Sequence, residues 1–372
     1  MLIRPLIIVA VVLGAVAKGQ SELPGDSVVA RFEKWKEHFG VTPDKSALAQ
    51  LEAWLKDHPR DGKAAWLLAV AYASPEFTGD VKKSYQVLKR YEDSDEPRIW
   101  AALGACYLSG EFGESEVQHG LQLTNKAMKA NCPNAFHNMG IAYLNGVGGL
   151  KPDLNKATEL MEMAGKLGAA GEWYTLYGLE LKTTADPKKV VEFLKKGAEQ
   201  GDPRAQFELA NLYLDGKLLE KSREDALRWL QKSAESDVMP LSQFTLSELL
   251  RTTEGADREK LSNARHWCLK AAEHHYAKAE SKLASAYLSG GYDLEFDAEQ
   301  GFRWMHRAAE DGDADAKGFL GLAYMAGLWV KRDEKMGRRY LTEAADGGIA
   351  TAATFKRILE ESDKRGREES RP

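Results

Sequence analysis

Asp311-Gly-Asp313-Ala-Asp315 places three carboxylates at alternate positions, the spacing with which a calcium-binding loop opens. Such a loop needs glycine at its sixth place and a bidentate glutamate at its twelfth, and Ala316 and Leu322 stand there instead. The segment therefore reads as a turn whose acids favour the N-terminus of the next helix. His266, Cys268, His274 and His275 lie close together, as zinc ligands do. Two residues apart on a helix, His266 and Cys268 point to different faces, and the other two fall where a turn is expected. Glu172 and Glu208 could share acid–base work. They occupy one place of a repeating pattern, however, and Asn138 and Lys282 hold the same place elsewhere. Such variety fits a solvated or partner-facing surface. Ser, Cys and His form no nucleophile motif, and no glycine-rich phosphate loop follows a strand. The expectation is no catalytic residue, no metal and no cofactor.

The frame that positions these residues is set by Tyr72, Tyr107, Tyr143, Tyr177, Tyr213, Tyr287 and Tyr324, spaced by 35, 36, 34, 36, 74 and 37 residues. The long step is two periods, with Leu250 near its midpoint. A period of this length marks stacked supersecondary units. Eight residues before each rung stand Ala64, Ile99, Ala135, Ala169, Ala205, Ser242, Ala279 and Ala316; four before stand Leu68, Leu103, Met139, Trp173, Leu209, Leu246, Leu283 and Leu320. Three before, the residue is small in seven units, with Tyr174 the exception. These offsets share one helix face, so each unit opens with a helix, A, whose buried stripe alternates small and large side chains. Gly110, Gly146, Gly216, Gly290 and Gly327 follow the rung by three residues, as a left-handed C-cap requires. Pro75 and Glu180 replace that glycine in two units. A second helix, B, shows patterns such as Ala226…Trp229…Ser233-Ala234 and Ala264…Trp267…Ala271-Ala272. A turn residue ends each B helix: Asn131, Gly168, Gly201, Asp237, His275, Gly312 and Gly348.

Tyr143-Leu-Asn-Gly146-Val-Gly148 followed by Asp153-Leu-Asn-Lys156-Ala157 resembles the Sel-one-like repeat, a relative of the tetratricopeptide repeat. The resemblance spans roughly residues 60–360 and is best over 135–168, 205–237 and 279–348. It weakens in the first two units, at Pro75 and Glu111-Phe-Gly113, and near 237–262, around Asp237-Val-Met-Pro240. It implies an all-α, right-handed α/α superhelix (solenoid) of about eight helix-turn-helix repeats, with helices A on the concave side and helices B outside.

Around this array the expected segments are a signal peptide at 1–17, an N-terminal helical cap at 18–60, repeats at 61–360 and a disordered charged tail at 361–372. The leader combines Arg4, an apolar run from Leu6 to Ala17 and the small-x-small close Ala15-Val-Ala17. It implies export to a periplasm or the cell exterior, with an uncleaved membrane anchor as the alternative. Phe32, Trp35 and Phe39 mark one face of a capping hairpin, and Leu48, Leu51 and Leu55 the other, with Trp54 beside it. A net charge of −5 argues against a nucleic-acid partner. Cys106, Cys132 and Cys268 read as buried thiols, with a Cys106–Cys132 bridge the alternative.

The function expected is a protein–protein interaction scaffold or adaptor, acting as a monomer through the concave A surface. Its candidate contacts lie five and two residues before the rungs: Asn138, Glu172, Thr175, Glu208, Asn211, Glu248, Lys282 and Ser285. The acids in this row suggest a protein or peptide partner carrying a basic segment. The alternative is an envelope-associated hydrolase or cell-wall-binding protein with a site built on the solenoid.

Overall fold

A computed structural model describes residues 45–74, 78–109, 114–183, 186–253, 255 and 257–369. Among them are eighteen α-helices and no strand. The signal-like segment, Phe32, Trp35, Phe39, Pro75, Gly110 and Glu111-Phe-Gly113 lie outside the described residues. The chain divides into two compact units, Met1–Val238 and Met239–Pro372. The division falls within Asp237-Val-Met-Pro240, where the repeat pattern breaks.

In the first unit, α1 (Lys45–Asp57) precedes five helix pairs: α2 (Gly62–Ala73) with α3 (Val81–Arg90), α4 (Pro97–Leu108) with α5 (Glu114–Lys129), α6 (Pro133–Asn145) with α7 (Leu154–Lys166), α8 (Ala170–Lys182) with α9 (Pro187–Glu199), and α10 (Pro203–Asp215) with α11 (Arg223–Ala234). The second unit holds three pairs: α12 (Pro240–Arg251) with α13 (Arg258–Glu273), α14 (Ala277–Ser289) with α15 (Ala298–Glu310), and α16 (Ala314–Ala326) with α17 (Glu334–Asp346). A last helix, α18 (Ala350–Glu369), closes it. Within each unit every A helix packs on its own B helix, and that B helix on the next A helix. Eight pairs is the number expected. The final helix runs through Glu369, past the point where the charged composition suggested disorder; Glu, Lys and Arg are good helix formers and can prolong a helix anchored at its start.

The predicted stripe is the core. All eight residues at the eight-before place and all eight at the four-before place are buried. The small residue three before the rung lets the two helices of a pair close up. A Cβ added at Gly321 would lie 2.8 Å from Leu341 Cγ and 3.0 Å from the Leu341 backbone nitrogen. Two short helices with one apolar stripe each cannot bury themselves alone, so each pair depends on its neighbours. Before the repeats, Leu51 and Leu55 of α1 are buried, Leu48 and Trp54 pack at their edge, and Trp54 Nε1 donates to Asp61 at 2.9 Å.

Local chemistry starts and stops these helices. Asp153, Asp202, Asp297, Asp313 and Asp333 are N-caps whose carboxylates accept from backbone amides of the first turn. Gly146, Gly216, Gly290 and Gly327 cap the A helices with φ between 67 and 76°. The loop is then closed by the next N-cap. The backbone N–H of Asp153, Ser222, Asp297 and Asp333 donates to the carbonyl of Tyr143, Tyr213, Tyr287 and Tyr324 respectively, at 2.9–3.0 Å. Where Glu180 replaces the glycine, its carboxylate does this work instead, accepting from the N–H of the N-cap Asp186 at 3.1 Å. At the other corner, Asn131, Asp237 and His275 adopt φ of 55–57° and the four glycines 90–99°, so all seven predicted turn residues are left-handed. B helices carry a further regularity. Lys232, Lys270 and Arg307 lie over the rings of Trp229, Trp267 and Trp304, one helical turn earlier, at 4.5–5.7 Å.

All three cysteines are buried free thiols. Trp329 is about half exposed, stacked on Phe319.

Candidate functional site

The rungs fix which way each A-helix residue points, and the places five and two before them form a row in each unit. The row is less exposed than expected. Asn138 is buried, and its amide donates to the carbonyl of Ala101 on the preceding A helix at 2.9 Å. Glu172 is also buried, with a carboxylate oxygen 2.7 Å from Nδ1 of His137, again on the preceding A helix. These two are structural contacts between units, a correction to their reading as exposed surface. The reason is geometric: the five-before residue reaches the six-before residue of the preceding A helix, and Ala101 and His137 offer it a partner there.

Farther along the first unit the row opens. Thr175, Glu208 and Asn211 are half-buried. Asn211 donates to Glu208 at 3.4 Å. Tyr174 and Tyr177 stand beside them, their rings 5.5 Å apart. Burial first, and then the charge of Glu208, push both phenols above their ordinary range. Arg204 lies over Tyr174 at 4.7 Å while paired to Asp202 at 2.8 Å. The result is a face of aromatic rings, one arginine and one available carboxylate.

The second unit carries an open cleft on its A-helix side. A cleft of about 410 Å³ is lined by Phe244 of α12, Lys278, Ser281, Lys282 and Ser285 of α14, Met305 of α15, and Asp313, Asp315, Ala316 and Phe319 around the start of α16. It therefore collects two of the predicted residues, Lys282 and Ser285, and Ser285 is exposed. Glu248 sits at its edge, held by Arg251 at 2.7 Å and Lys282 at 3.1 Å, with the Tyr292 hydroxyl donating to it at 3.1 Å. Burial pushes the Glu248 carboxyl up, but the hydrogen bonds from Arg251 and Lys282 outweigh it and hold the group below the usual carboxylate range. Phe244, Phe319 and the aspartates line the cleft without having been singled out in the sequence. Phe319 could have been found, because it stands five before Tyr324, the same place as Lys282.

The histidine group does not assemble. Cys268 is buried, its thiol facing the carbonyl of Ala279 at 3.5 Å, and burial raises its pKa to about 11. His266 instead lies against Trp267. His275 holds the turn and reaches Asp311 at 2.8 Å. Asp313 caps α16, accepting from Ala316 at 2.7 Å, as the non-calcium reading of this segment expects.

Helix pairs stacked on small-residue contacts define an α-helical repeat protein. The sequence profile of the Sel1 repeat matches residues 133–168, 169–202, 203–238, 254–276, 277–313 and 314–349. The chain belongs to the Sel1 repeat family. The stretches before 133, at 239–253 and after 349 are unmatched; the first holds Pro75 and Glu111-Phe-Gly113, and the second is part of the 237–262 departure. Chitin synthase regulatory factor 3 of Schizosaccharomyces pombe is 27% identical over 275 residues, covering 62% of this chain and 29% of that protein. Chitin synthase regulator SKT5 of Saccharomyces cerevisiae is 29% identical over 222 residues, covering 56% of this chain and 32% of that protein. The chain thus spans about a third of the length of these curated relatives. A solved Sel1 repeat protein from Oxalobacter formigenes superposes with a TM-score of 0.57 at 24% identity, covering 93% of this chain and 99% of that one. The protective antigen c5321 of uropathogenic Escherichia coli, with the same repeat fold, gives 0.57 at 22% identity, covering 96% and 79%. Proteins of this family serve in general as scaffolds for protein–protein contact.

Proposed function

We propose that this chain is an exported, non-enzymatic scaffold that holds a protein or peptide partner, and that the α12–α14–α16 cleft of the second unit receives a segment of it. The observation that carries the reading is the cleft itself: an aromatic floor of Phe244 and Phe319 flanked by two lysines and two aspartates. An extended segment with an apolar anchor and charges of both signs fits such a surface, because aromatic anchors supply binding energy and rim charges supply register. A purely basic partner segment fits the available charges less well. Glu172 and Glu248 are already engaged by His137 and by Arg251 and Lys282, which leaves Glu208 as the acid of the row free to meet a cation. Export rests on the leader pattern of residues 1–17.

The test is capture of the tagged chain from a cross-linked envelope fraction, with a Ser285→Trp variant beside the parent. Ser285 is exposed, so an indole there fills the cleft without disturbing the core. A partner enriched by the parent and lost in the variant is the expected result. Equal recovery by both removes the cleft as the binding surface, and a parent that enriches nothing over an untagged control removes the scaffold reading.

A further inference from the structure

We propose that His275, Glu280 and Asp311 bind a divalent transition-metal ion of the zinc class, joining two successive corner turns of the second unit. His275 is the left-handed residue of the turn between α13 and α14, Glu280 lies in the first turn of α14, and Asp311 is the C-cap of α15. One nitrogen or oxygen from each falls within 4.8 Å of the others. Zinc bonds to imidazole nitrogen and carboxylate oxygen are about 2.0–2.2 Å, so modest rotations of side chains bring these three donors onto one ion.

The buried carboxylate is what separates this cluster from an ordinary acidic corner. Glu280 is wholly buried, yet its carboxylate accepts no hydrogen bond among the described residues. Its one close cationic neighbour is Arg307, 3.0 Å from Oε1. Arg307 has anchors of its own, the carbonyl of Ala272 at 3.2 Å and the ring of Trp304 at 4.7 Å, and Oε2 meets no hydrogen-bond donor while the Asp311 carboxylate stands beside it. The same place, seven before the rung, holds Gln206 in the first unit. There the amide donates to the carbonyl of Ala198, eight residues earlier. A purely structural role is thus met by glutamine. A glutamate at this depth gives up that donor and adds a buried charge, which costs several kcal/mol unless compensated.

A divalent ion supplies the compensation. A neutral imidazole, two carboxylates and a 2+ charge sum to zero. One carboxylate oxygen of Glu280 keeps Arg307 while the other ligates. An imidazole donor in so small a set favours zinc, nickel or cobalt over calcium, which takes six or more oxygens. The His275 side chain is largely exposed, so an ion has an entry path from solvent, and the coordination positions left open face outward to water or to a donor from a bound partner.

The test uses the untagged full chain, stripped with chelator and titrated with zinc chloride by calorimetry, and with cobalt chloride followed by visible absorption. The expected result is one ion per chain, a rise in Tm on zinc addition, and cobalt bands of a nitrogen–oxygen site. His275→Asn keeps a residue suited to the left-handed turn, as Asn131 shows at the equivalent corner, and removes the imidazole. It and Asp311→Asn should each weaken binding by at least about 10–100-fold, while Glu280→Gln abolishes it. Absence of binding to the parent at millimolar zinc overturns the proposal, as does unchanged affinity in both His275→Asn and Asp311→Asn. Both of those positions lie at the surface, so their two variants decide the matter even where Glu280→Gln fails to fold.

Discussion

The A-helix faces of the two units are laid out on the same offsets from the tyrosines but hold different things. In the first unit Asn138 and Glu172 are drawn into contacts with the preceding helix. In the second unit Lys282 and Ser285 line an open cleft, Lys282 while still paired to Glu248 of the preceding A helix. The residue six before the rung on the preceding A helix decides between these outcomes. Ala101 is small and bares its carbonyl to Asn138, and His137 presents a nitrogen to Glu172. Phe244, at that place in α12, is large and lines the cleft beside Lys282. A helical offset therefore fixes the direction of a side chain, and the facing side chain from one unit earlier fixes its depth.

Beneath both faces runs the same stripe. Leu209 in the first unit and Leu283 in the second are both fully buried at the four-before place. Trimming either to alanine should cost about 2–5 kcal/mol in urea-denaturation experiments. A loss in only one unit would show that the two cores are not built alike. The small positions should differ between units. A side chain at Gly140 meets Met161 Cγ at 2.9 Å and the Ala157 carbonyl oxygen at 3.1 Å, whereas at Gly321 the contacts are slightly tighter, Leu341 Cγ at 2.8 Å and the Leu341 backbone nitrogen at 3.0 Å. Both glycine-to-leucine changes should destabilise by roughly 1–3 kcal/mol, with Gly321→Leu the worse. The reverse order in melting midpoints would mean that the second unit yields more readily than its close contact implies.

The faces themselves come next in size. Asn138→Ala removes a buried hydrogen bond to the Ala101 carbonyl, which keeps its own helical donor, and should cost about 0.5–1.5 kcal/mol besides the cavity left by the side chain. Lys282→Ala removes a part-exposed ion pair and should change stability by about 1 kcal/mol or less. If chemical denaturation gives similar losses for the two, the division between a closed and an open face fails.

Much of this was legible in the sequence because the repeat supplies its own register. The tyrosine offsets located the buried stripe in all eight units, and the residues ending the B helices located all seven left-handed corners. What stayed hidden depends on two units at once. The depth of Asn138 is set by Ala101, 37 residues away, and the pairing of His275 with Asp311 spans 36. Offsets within one unit carry no information about either. Glu180 was visible as a departure, yet its role as a substitute acceptor for the Asp186 amide required the loop path. The division into two units left one trace, the Asp237–Pro240 break, which reads in sequence as weakened register. Tyr292 had no signal at all. It leaves the loop after α14, is buried, and reaches Ser247 of α12 at 3.0 Å, on the helix where Leu250 stands in place of a rung.

The smallest effect concerns the edge of the open face, and its sign is fixed by the partners of Glu248. Burial alone would raise this carboxyl, but Arg251 and Lys282 prevail and its folded pKa lies below the ordinary 4.5. A carboxylate depressed by folding contributes stability above its unfolded pKa, and loses it as pH falls through the folded value. The gap in Tm between the parent and Glu248→Gln should therefore be widest near neutrality and narrow as the pH drops below about 4.5. Adding salt at neutral pH should shrink it too, since the pair is partly exposed and screened. A gap that instead widens in acid would mean that the folded protein holds this carboxyl protonated. Lys282, which already lines the cleft, would then lose its carboxylate partner, and the open face would carry an uncompensated positive charge.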